Sequence, residues 1–286
     1  MNLSDEIEKP ELPETLMMED KWLLSKFNSV VKTVNDNLEK YELGVASQNV
    51  YDFIWDVFCD WYIEISKSRL SAGGETALNA QKVLVFVMSG ILRLLHPFMP
   101  FITEEIWQAI PNDCETIMLA PYPAYDESLC FLKEEEEFER IMNAIKAVRN
   151  IRTEKNVPPS RKAHVYIETA HISTFEMGAP FFERLCSASG VTVEEKVEIE
   201  NAAVGVTESA KLYLPLGELI DKEKELARLH KEQEACQKDI DIISRKLNNA
   251  DFVAKAPEKV VANEKAKLSR AQDRMQKILE SIAAMQ

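Results

Sequence analysis

The strongest constraint on the fold lies in residues 218–286, which contain one proline and no glycine. Apolar and small side chains recur there at alternating spacings of three and four, a heptad pattern typical of helices that pack side by side. In two antiparallel helices the numbers of facing residues have a constant sum. Seven pairs meet this condition to within one residue: Leu226 with Ile282, Leu229 with Ile278, Gln233 with Met275, Cys236 with Ala271, Ile240 with Leu268, Ile243 with Glu264, and Leu247 with Val261. We therefore predict an antiparallel two-helix coiled coil over 218–286 that turns near residue 254.

Residues 15–125 show helical periodicity with broader apolar faces, which predicts an antiparallel helical bundle. The predicted helices cover about 17–41, 46–69, 76–95 and 102–110. The third is apolar nearly all round and is expected at the centre of the bundle. Residues 1–14 are polar with two prolines and are predicted to be a linker, whereas 111–125 carry three prolines and are predicted to form an extended strap.

Residues 126–217 are predicted to form a long helix and a small α/β subdomain. The helix is expected over 126–155, with acidic residues near its start and basic residues near its end, as the helix dipole favours. Alternation over 163–167 predicts a strand. A short helix around 180–188 and further strands over 191–194, 203–207 and 211–214 complete the subdomain. The fold class is thus mainly α.

Composition argues against a self-contained catalytic or metal centre. The eight glycines form neither GxGxxG nor GxxxxGK[ST], so no glycine-rich phosphate loop is predicted. The five cysteines never form CxxC and the four histidines never form HxxxH, which argues against zinc and against a disulfide framework. The start does not resemble a signal peptide, and the longest uncharged apolar stretch, 83–92, is about half of a membrane span. We expect a soluble, cytoplasmic protein.

Two basic zones stand out on a chain whose formal net charge is -14. Residues 140–162 hold seven basic residues and one acidic residue, and 245–277 hold nine basic and four acidic residues. Each zone has a structural alternative, namely dipole matching with local ion pairing for the first and a solvated coiled-coil face for the second. Two such zones together favour contact with nucleic-acid phosphates. The candidate binding residues are Arg149, Arg152, Lys155, Arg245, Lys246, Lys267, Arg270 and Arg274.

Other candidates are weaker. Glu104 and Glu105 could be paired carboxylates, but adjacent helical residues diverge, and acidic residues favour a helix start. His96 could be a base, yet it lies at a helix end without a nearby nucleophile. The aromatic run over 51–62 could stack bases, but its helical spacing favours the core. The triplet 66–68 (SKS) echoes an ATP-loop signature without its partner motif.

Several runs together resemble the C-terminal half of bacterial valyl-tRNA synthetase, and the resemblance covers essentially the whole chain. In the bundle they are 20–25 (DKWLLS), 51–55 (YDFIW), 58–62 (FCDWY) and 95–107 (LHPFMPFITEEIW). Related class I synthetases share the last of these runs, so it indicates only the superfamily. The run 58–62 (FCDWY) narrows the resemblance within that superfamily. The most specific runs are 216–225 (LGELIDKEKE), 246–249 (KLNN), 252–253 (FV) and 255–261 (KAPEKVV), which are similar to the terminal coiled-coil arm of the valyl enzyme.

The resemblance implies that the bundle is a class I anticodon-binding domain lacking its first family helix, which carries an Asn-x-x-Arg-Phe pattern. It also implies that the arm over 218–286 braces the outer corner of the tRNA, with Lys246, Lys267 and Arg270 at basic positions of the family's arm. The HxGH and KMSKS signatures and the editing domain are absent. The expected chain is therefore a catalytically inert, tRNA-binding portion of a valine–tRNA ligase, most simply a truncated one.

The expected partner is tRNA-Val, without DNA or membrane binding. The full-length parent is expected to be monomeric and to use ATP and magnesium, whereas this chain needs no cofactor. A different class of function stays open from the residues alone: the coiled coil could make the chain a structural adapter for a protein partner.

Overall fold

A computed structural model describes residues 3–219, 222–248 and 258–283, which form a mostly helical chain with one four-stranded sheet. The bundle contains α1 (Met18–Glu39), α2 (Leu43–Asp52), a π-helical segment (Phe53–Ile63), α3 (Glu64–Ala72), α4 (Gly74–Leu95) and α5 (Pro100–Ala109). The π-helical segment joins α2 and α3 without a break, so the predicted helix over 46–69 is longer than expected. Gly73 adopts φ +73°, which lets the chain reverse into α4.

The core of the bundle lies between α1, the π-helical segment and α4. Trp22, Leu24, Tyr62 and Val87 are among its fully buried side chains. By length and composition, α4 is the one helix in the described part of the chain that could cross a membrane, but 56% of its apolar window is buried inside the fold. Its apolar surface therefore serves packing, as predicted for the third helix.

The predicted strap follows α5 and contains a short 3-10 turn, Ile117–Leu119, and a second one, Glu127–Leu129, lies between the strap and the next helix. Side-chain amides of α1 hold it in place, because Asn35 donates to the carbonyl of Pro123 at 2.9 Å and Asn28 donates to the carbonyl of Asp126 at 2.7 Å. These bonds also explain why the long helix α6 (Leu132–Glu154) begins later than the predicted residue 126. Asp126 instead caps the second turn by accepting from the backbone N–H of Ser128.

The α/β unit contains β1 (Ala163–Glu168), α7 (Ile172–Leu185), β2 (Ala188–Glu194), β3 (Ala202–Val206) and β4 (Lys211–Pro215). The strand order is β2-β1-β4-β3, with β1 parallel to β2 and the other pairs antiparallel. The helix predicted over 180–188 begins and ends earlier in the structure. Helix α7 starts at Ile172 and contains Pro180, and Gly178 lets it approach α6, since a Cβ there would lie 2.8 Å from Ile141.

A short helix α8 (Leu216–Leu219) leads to two long helices, α9 (Lys222–Asn248) and α10 (Glu258–Ala283). The Sγ of Cys236 lies 3.3 Å from the carbonyl oxygen of Ala271, which confirms that predicted pair. Lys246 near the end of α9 approaches Glu264 near the start of α10, so the two helices run antiparallel. The predicted pairs of Leu226 and Leu229, and the turn near residue 254, lie outside the part of the chain whose side chains are described.

Close packing of α4 on α1 gives a first prediction. A Cβ added at Gly90 would lie 2.2 Å from Cζ of Phe27, a side chain that is itself buried against Phe53. We expect Gly90→Ala to lower the free energy of unfolding by about 1–3 kcal/mol, the usual cost of overpacking. Urea unfolding followed by circular dichroism measures it.

Gly44→Ala is the matched control, because a Cβ at Gly44 meets nothing within 4 Å and alanine favours the helix. We expect it to stabilise by up to about 1 kcal/mol. Equal stability of Gly90→Ala and the parent chain would contradict the packing described between α1 and α4.

Candidate nucleic-acid interface

Three of the candidate cations share one face of α10. Lys267, Arg270 and Arg274 follow one another at spacings of three and four residues, which places them on the same side of a helix. They line a shallow groove of about 330 Å³ between α9 and α10. Asp239 and the half-exposed Ile242 form part of its α9 side. Because α9 packs beside this face of α10, the three cations lie along the groove between the two helices.

Carboxylates orient several of these cations. Lys267 donates to Glu264 at 2.7 Å, and Lys246 approaches the other oxygen of Glu264 at 3.9 Å. The hydrogen bond from Lys267 lowers the pKa of Glu264, so this carboxylate stays ionised at neutral pH. Two lysines share one glutamate, and the trio therefore keeps a net positive charge. Arg274 pairs with Glu232 at 2.9 Å.

These pairs do not remove the cations from solvent. The side chains of Lys246, Lys267 and Arg274 are each more than half exposed, and ion pairs between exposed groups are weak in water. A polyanion can compete for such cations. Arg245 and Arg270 are also exposed, and neither forms an ion pair with any residue that the structure describes. Arg245 does not line the groove, whereas Arg270 lies in it.

The second basic zone lies at the end of α6 and is built around Trp61. The guanidinium of Arg149 lies 5.5 Å from the centroid of the Trp61 ring, and the ammonium of Lys146 lies 5.6 Å from it. Arg149 also donates from Nε to the carbonyl of Leu185 at 2.9 Å. These contacts fix the exposed Arg149 side chain, and Lys155 follows it, also exposed, at the end of the helix. In the sequence, Lys146 and Arg149 are three residues apart, which places them on one side of the helix and indicates that they can share a partner.

The side chain of Arg152 lies in a different environment from those of Arg149 and Lys155. It is buried, and its Nη2 donates to the carbonyls of Pro158 and Arg161 at 3.1 and 2.5 Å. Burial lowers its pKa. The guanidinium thus holds the proline-containing turn that follows α6, and it offers less surface to a ligand than Arg149 does. The two consecutive prolines, which donate no backbone N–H bonds, were the sequence signal that this turn needs support from a side chain.

The weaker candidates have structural partners. Glu104 accepts hydrogen bonds from Gln108, from Thr116 and from the backbone N–H of Ile117, which lower its pKa and tie the strap to α5. Nδ1 of His96 lies 2.7 Å from Oγ1 of Thr103. Among the described residues, no group of three or more His, Cys, Asp or Glu side chains could hold a metal ion.

The aromatic run over 51–62 is only partly core. Phe53, Trp61 and Tyr62 are buried as predicted, whereas Tyr51 and Trp55 are exposed on the outer side of the same helical segment, with ring centroids 6.2 Å apart. This continuous helix therefore carries more aromatic side chains than its buried face takes up. The triplet 66–68 lies within α3, where Lys67 pairs with Glu64.

Both the bundle with α6 and the pair of long helices match known protein families. Residues 20–167, which span the bundle, α6 and most of β1, match the anticodon-binding domain of tRNA ligase. Residues 221–286, which include α9 and α10, match the tRNA-binding arm of valyl-tRNA synthetase. The candidate cations Lys246, Lys267, Arg270 and Arg274 lie within the second match.

Curated relatives match along the whole chain. The valine–tRNA ligase of Clostridium acetobutylicum is 44% identical over 291 residues, covering 100% of this chain and 33% of the relative. The valine–tRNA ligase of Thermotoga maritima is 43% identical, covering 99% and 32%, and that of Listeria monocytogenes is 39% identical, covering 96% and 32%. The chain spans about a third of the length of these relatives. The chain belongs to the anticodon-binding domain family of tRNA ligases, and its C-terminal residues match the tRNA-binding arm of valyl-tRNA synthetase.

Proposed function

We propose that this chain is the tRNA-binding portion of a valine–tRNA ligase. The full-length enzyme would attach valine to tRNA-Val with ATP and magnesium, and this portion, catalytically inert alone, would supply affinity and orientation. The observation that carries the proposal is the groove between α9 and α10, where Lys267, Arg270 and Arg274 lie along one face. A row of exposed cations on a helix suits the phosphates of a folded RNA.

The hairpin of α9 and α10 would act as a coiled-coil arm. Its contact partner would be the outer corner of the tRNA, where the D and T loops meet. Folded RNA presents phosphates and ribose hydroxyls on its surface, while its bases are largely paired, so contacts there read shape more than sequence. The exposed Arg245 and Arg270 would bind phosphates directly, and Lys246 and Lys267 would exchange their shared partner Glu264 for phosphate oxygens.

The end of α6 would provide a second contact zone on the body of the protein. Arg149 is fixed by Trp61 and by the carbonyl of Leu185, so it loses little side-chain freedom on binding. Lys155 extends the zone to the end of α6. In this proposal the anticodon-binding bundle covers 15–125, the long helix and α/β subdomain 126–217, and the arm 218–286. The parent would work as a cytoplasmic monomer.

The net charge of the chain is compatible with an RNA partner. A formal charge of -14 repels RNA at long range, but screening limits such forces to about 8 Å at physiological salt. Local basic zones therefore decide the contacts. Acidic residues elsewhere would confine the tRNA to the two cationic zones and reduce binding in other poses.

The proposal is tested by competition between two RNAs. We expect the chain to bind tRNA-Val more tightly than an unstructured RNA of equal length, because the arm recognises the folded corner. Fluorescence anisotropy of labelled tRNA, displaced by either unlabelled RNA, measures the ratio. Equal displacement by both RNAs would contradict the proposal. If the chain does not bind tRNA but crosslinks to a protein from a cell extract, the alternative function as a structural adapter for a protein partner is favoured.

A further inference from the structure

The two faces of the four-stranded sheet have different surroundings. One face carries the buried side chains Val165, Ile167, Leu212 and Leu214 and packs against helices of the body. Gly205 belongs to this face, since a Cβ there would lie 2.9 Å from Ile151 of α6. Because side chains alternate along a strand, the residues between them point to the opposite face.

The opposite face carries an aromatic cluster on the two central strands. Tyr166 of β1 lies directly across from Tyr213 of β4 in the strand register. The ring of His164 lies 4.5 Å from that of Tyr166, and its Nε2 is 2.8 Å from Oγ1 of Thr192 on β2. Gly190 leaves room for this histidine, because a Cβ at Gly190 would lie 3.0 Å from the ring. The three side chains are half-buried on the same face of the sheet, His164 and Tyr166 in ring contact and Tyr213 across from Tyr166 in the strand register.

Apolar and charged groups surround the cluster. Val204 of β3 lies across from Tyr213 and is 52% exposed, and it extends the apolar surface to the sheet edge. Two carboxylates lie near this face, the exposed Glu194 at the end of β2 and, across from it in the strand register and beside Tyr213, Glu168 of β1. Glu168 pairs with Lys211 at 2.8 Å and accepts from the hydroxyl of Tyr213 at 3.0 Å, so its charge is compensated locally. The basic end of α6 leads through the exposed Lys162 directly into β1.

We infer that Tyr166, Tyr213 and His164 form a platform on which unpaired bases of a single-stranded RNA segment stack. Neighbouring aromatic rings on the central strands of an open sheet can each take one base, since every base has a π-face. A cationic approach through Lys162 suits the RNA backbone. This site is separate from the groove between α9 and α10 and goes beyond the proposed function, which rests on phosphate contacts to folded RNA.

The test uses the full chain and a fluorescent oligouridine of about eight nucleotides, a length typical of single-stranded binding sites. We expect Tyr166→Leu and Tyr213→Leu each to weaken binding by at least about fivefold, because leucine keeps apolar bulk but loses the stacking surface. Tyr166→Phe and Tyr213→Phe should bind like the parent chain. Tyr51→Leu, which removes an exposed tyrosine elsewhere, is the matched control. Circular dichroism establishes that each variant is folded.

A second readout covers the case in which a leucine variant does not fold. Photo-crosslinking of a 4-thiouridine oligonucleotide to the parent chain, mapped by mass spectrometry, should label the peptide of Tyr166 or Tyr213. Crosslinks confined to other peptides, or equal binding by the leucine variants, would overturn the inference. Loss of binding in the phenylalanine variants would do the same, because it would assign the effect to the hydroxyl groups.

The proposed function can fail independently. A variant with glutamate in place of Arg245, Lys246, Lys267 and Arg270 should still bind the oligouridine within about twofold, since those residues lie on α9 and α10 and not on the sheet. A leucine variant that changes self-association in sedimentation, with no oligouridine binding by the parent chain, would instead assign the face to a protein contact and overturn the inference.

Discussion

Binding of tRNA should fall by at least about a hundredfold when Arg245, Lys246, Lys267 and Arg270 are all replaced by glutamate, because each lost phosphate contact also becomes a repulsion. Arg270 lies in the groove, and Lys246 and Lys267 meet at Glu264, so the four changes invert the charge of this part of the hairpin. Fluorescence anisotropy at fixed, near-physiological salt measures the affinity.

The matched control reverses four exposed lysines elsewhere. Lys9, Lys40, Lys133 and Lys196 are all exposed, and their replacement by glutamate changes the net charge by the same amount. We expect this control to weaken binding by less than about tenfold, since interactions beyond the Debye length are screened. Helical content by circular dichroism must match the parent chain. A hairpin variant that stays folded and binds like the control would reassign the hairpin to a spacer.

The largest expected effect on stability comes from Arg69→Met. The Arg69 guanidinium donates to Asp20 at 2.6 Å and to Glu19 at 3.1 Å, and all three side chains are buried. Methionine would fill much of the volume but leave two carboxylates without a counterion. We expect the free energy of unfolding to fall by about 3–5 kcal/mol, as for other buried pairs that lose one partner. Urea unfolding at neutral pH measures this change.

Two further variants separate lost charge from lost packing. Lys67→Met removes an exposed pair with Glu64 and should cost at most about 1 kcal/mol. Adding Glu19→Gln and Asp20→Asn to Arg69→Met should recover part of the loss, because no buried charge then lacks a partner. Burial already raises the pKa of Glu19, with the neighbouring Asp20 as a second cause. A single Arg69→Met variant as stable as the Lys67→Met control would refute the role of this buried cluster.

Elements with strong local periodicity could be predicted from the sequence. The pairing of Cys236 with Ala271 follows from a heptad pattern in which both helices repeat the same spacing, so register and direction are encoded in the residue numbers. The same holds for α1 and α4, whose apolar faces repeat every turn. Their bounds differ from the predicted ones by at most two residues.

Elements set by distant contacts could not be predicted in this way. The start of α6 depends on Asn28, which lies almost a hundred residues away and holds the chain at Asp126. The length of α7 depends on Gly178 packing against Ile141, and a proline inside the helix gave the opposite local signal. Arg149 and Arg152 are both arginines near the end of α6, yet the side chain of Arg152 is buried and donates to a carbonyl in the turn that follows the helix. Such differences arise only when the tertiary structure forms.

The most direct test of the account is the salt dependence of tRNA binding to the full chain. Each phosphate neutralised by a lysine or arginine releases counterions, so the logarithm of the association constant falls linearly with the logarithm of salt concentration. Cations from the hairpin and from the end of α6 predict a slope of about -3 to -5. A slope near zero, with tRNA still bound, would contradict the claim that these two zones hold the RNA by its phosphates.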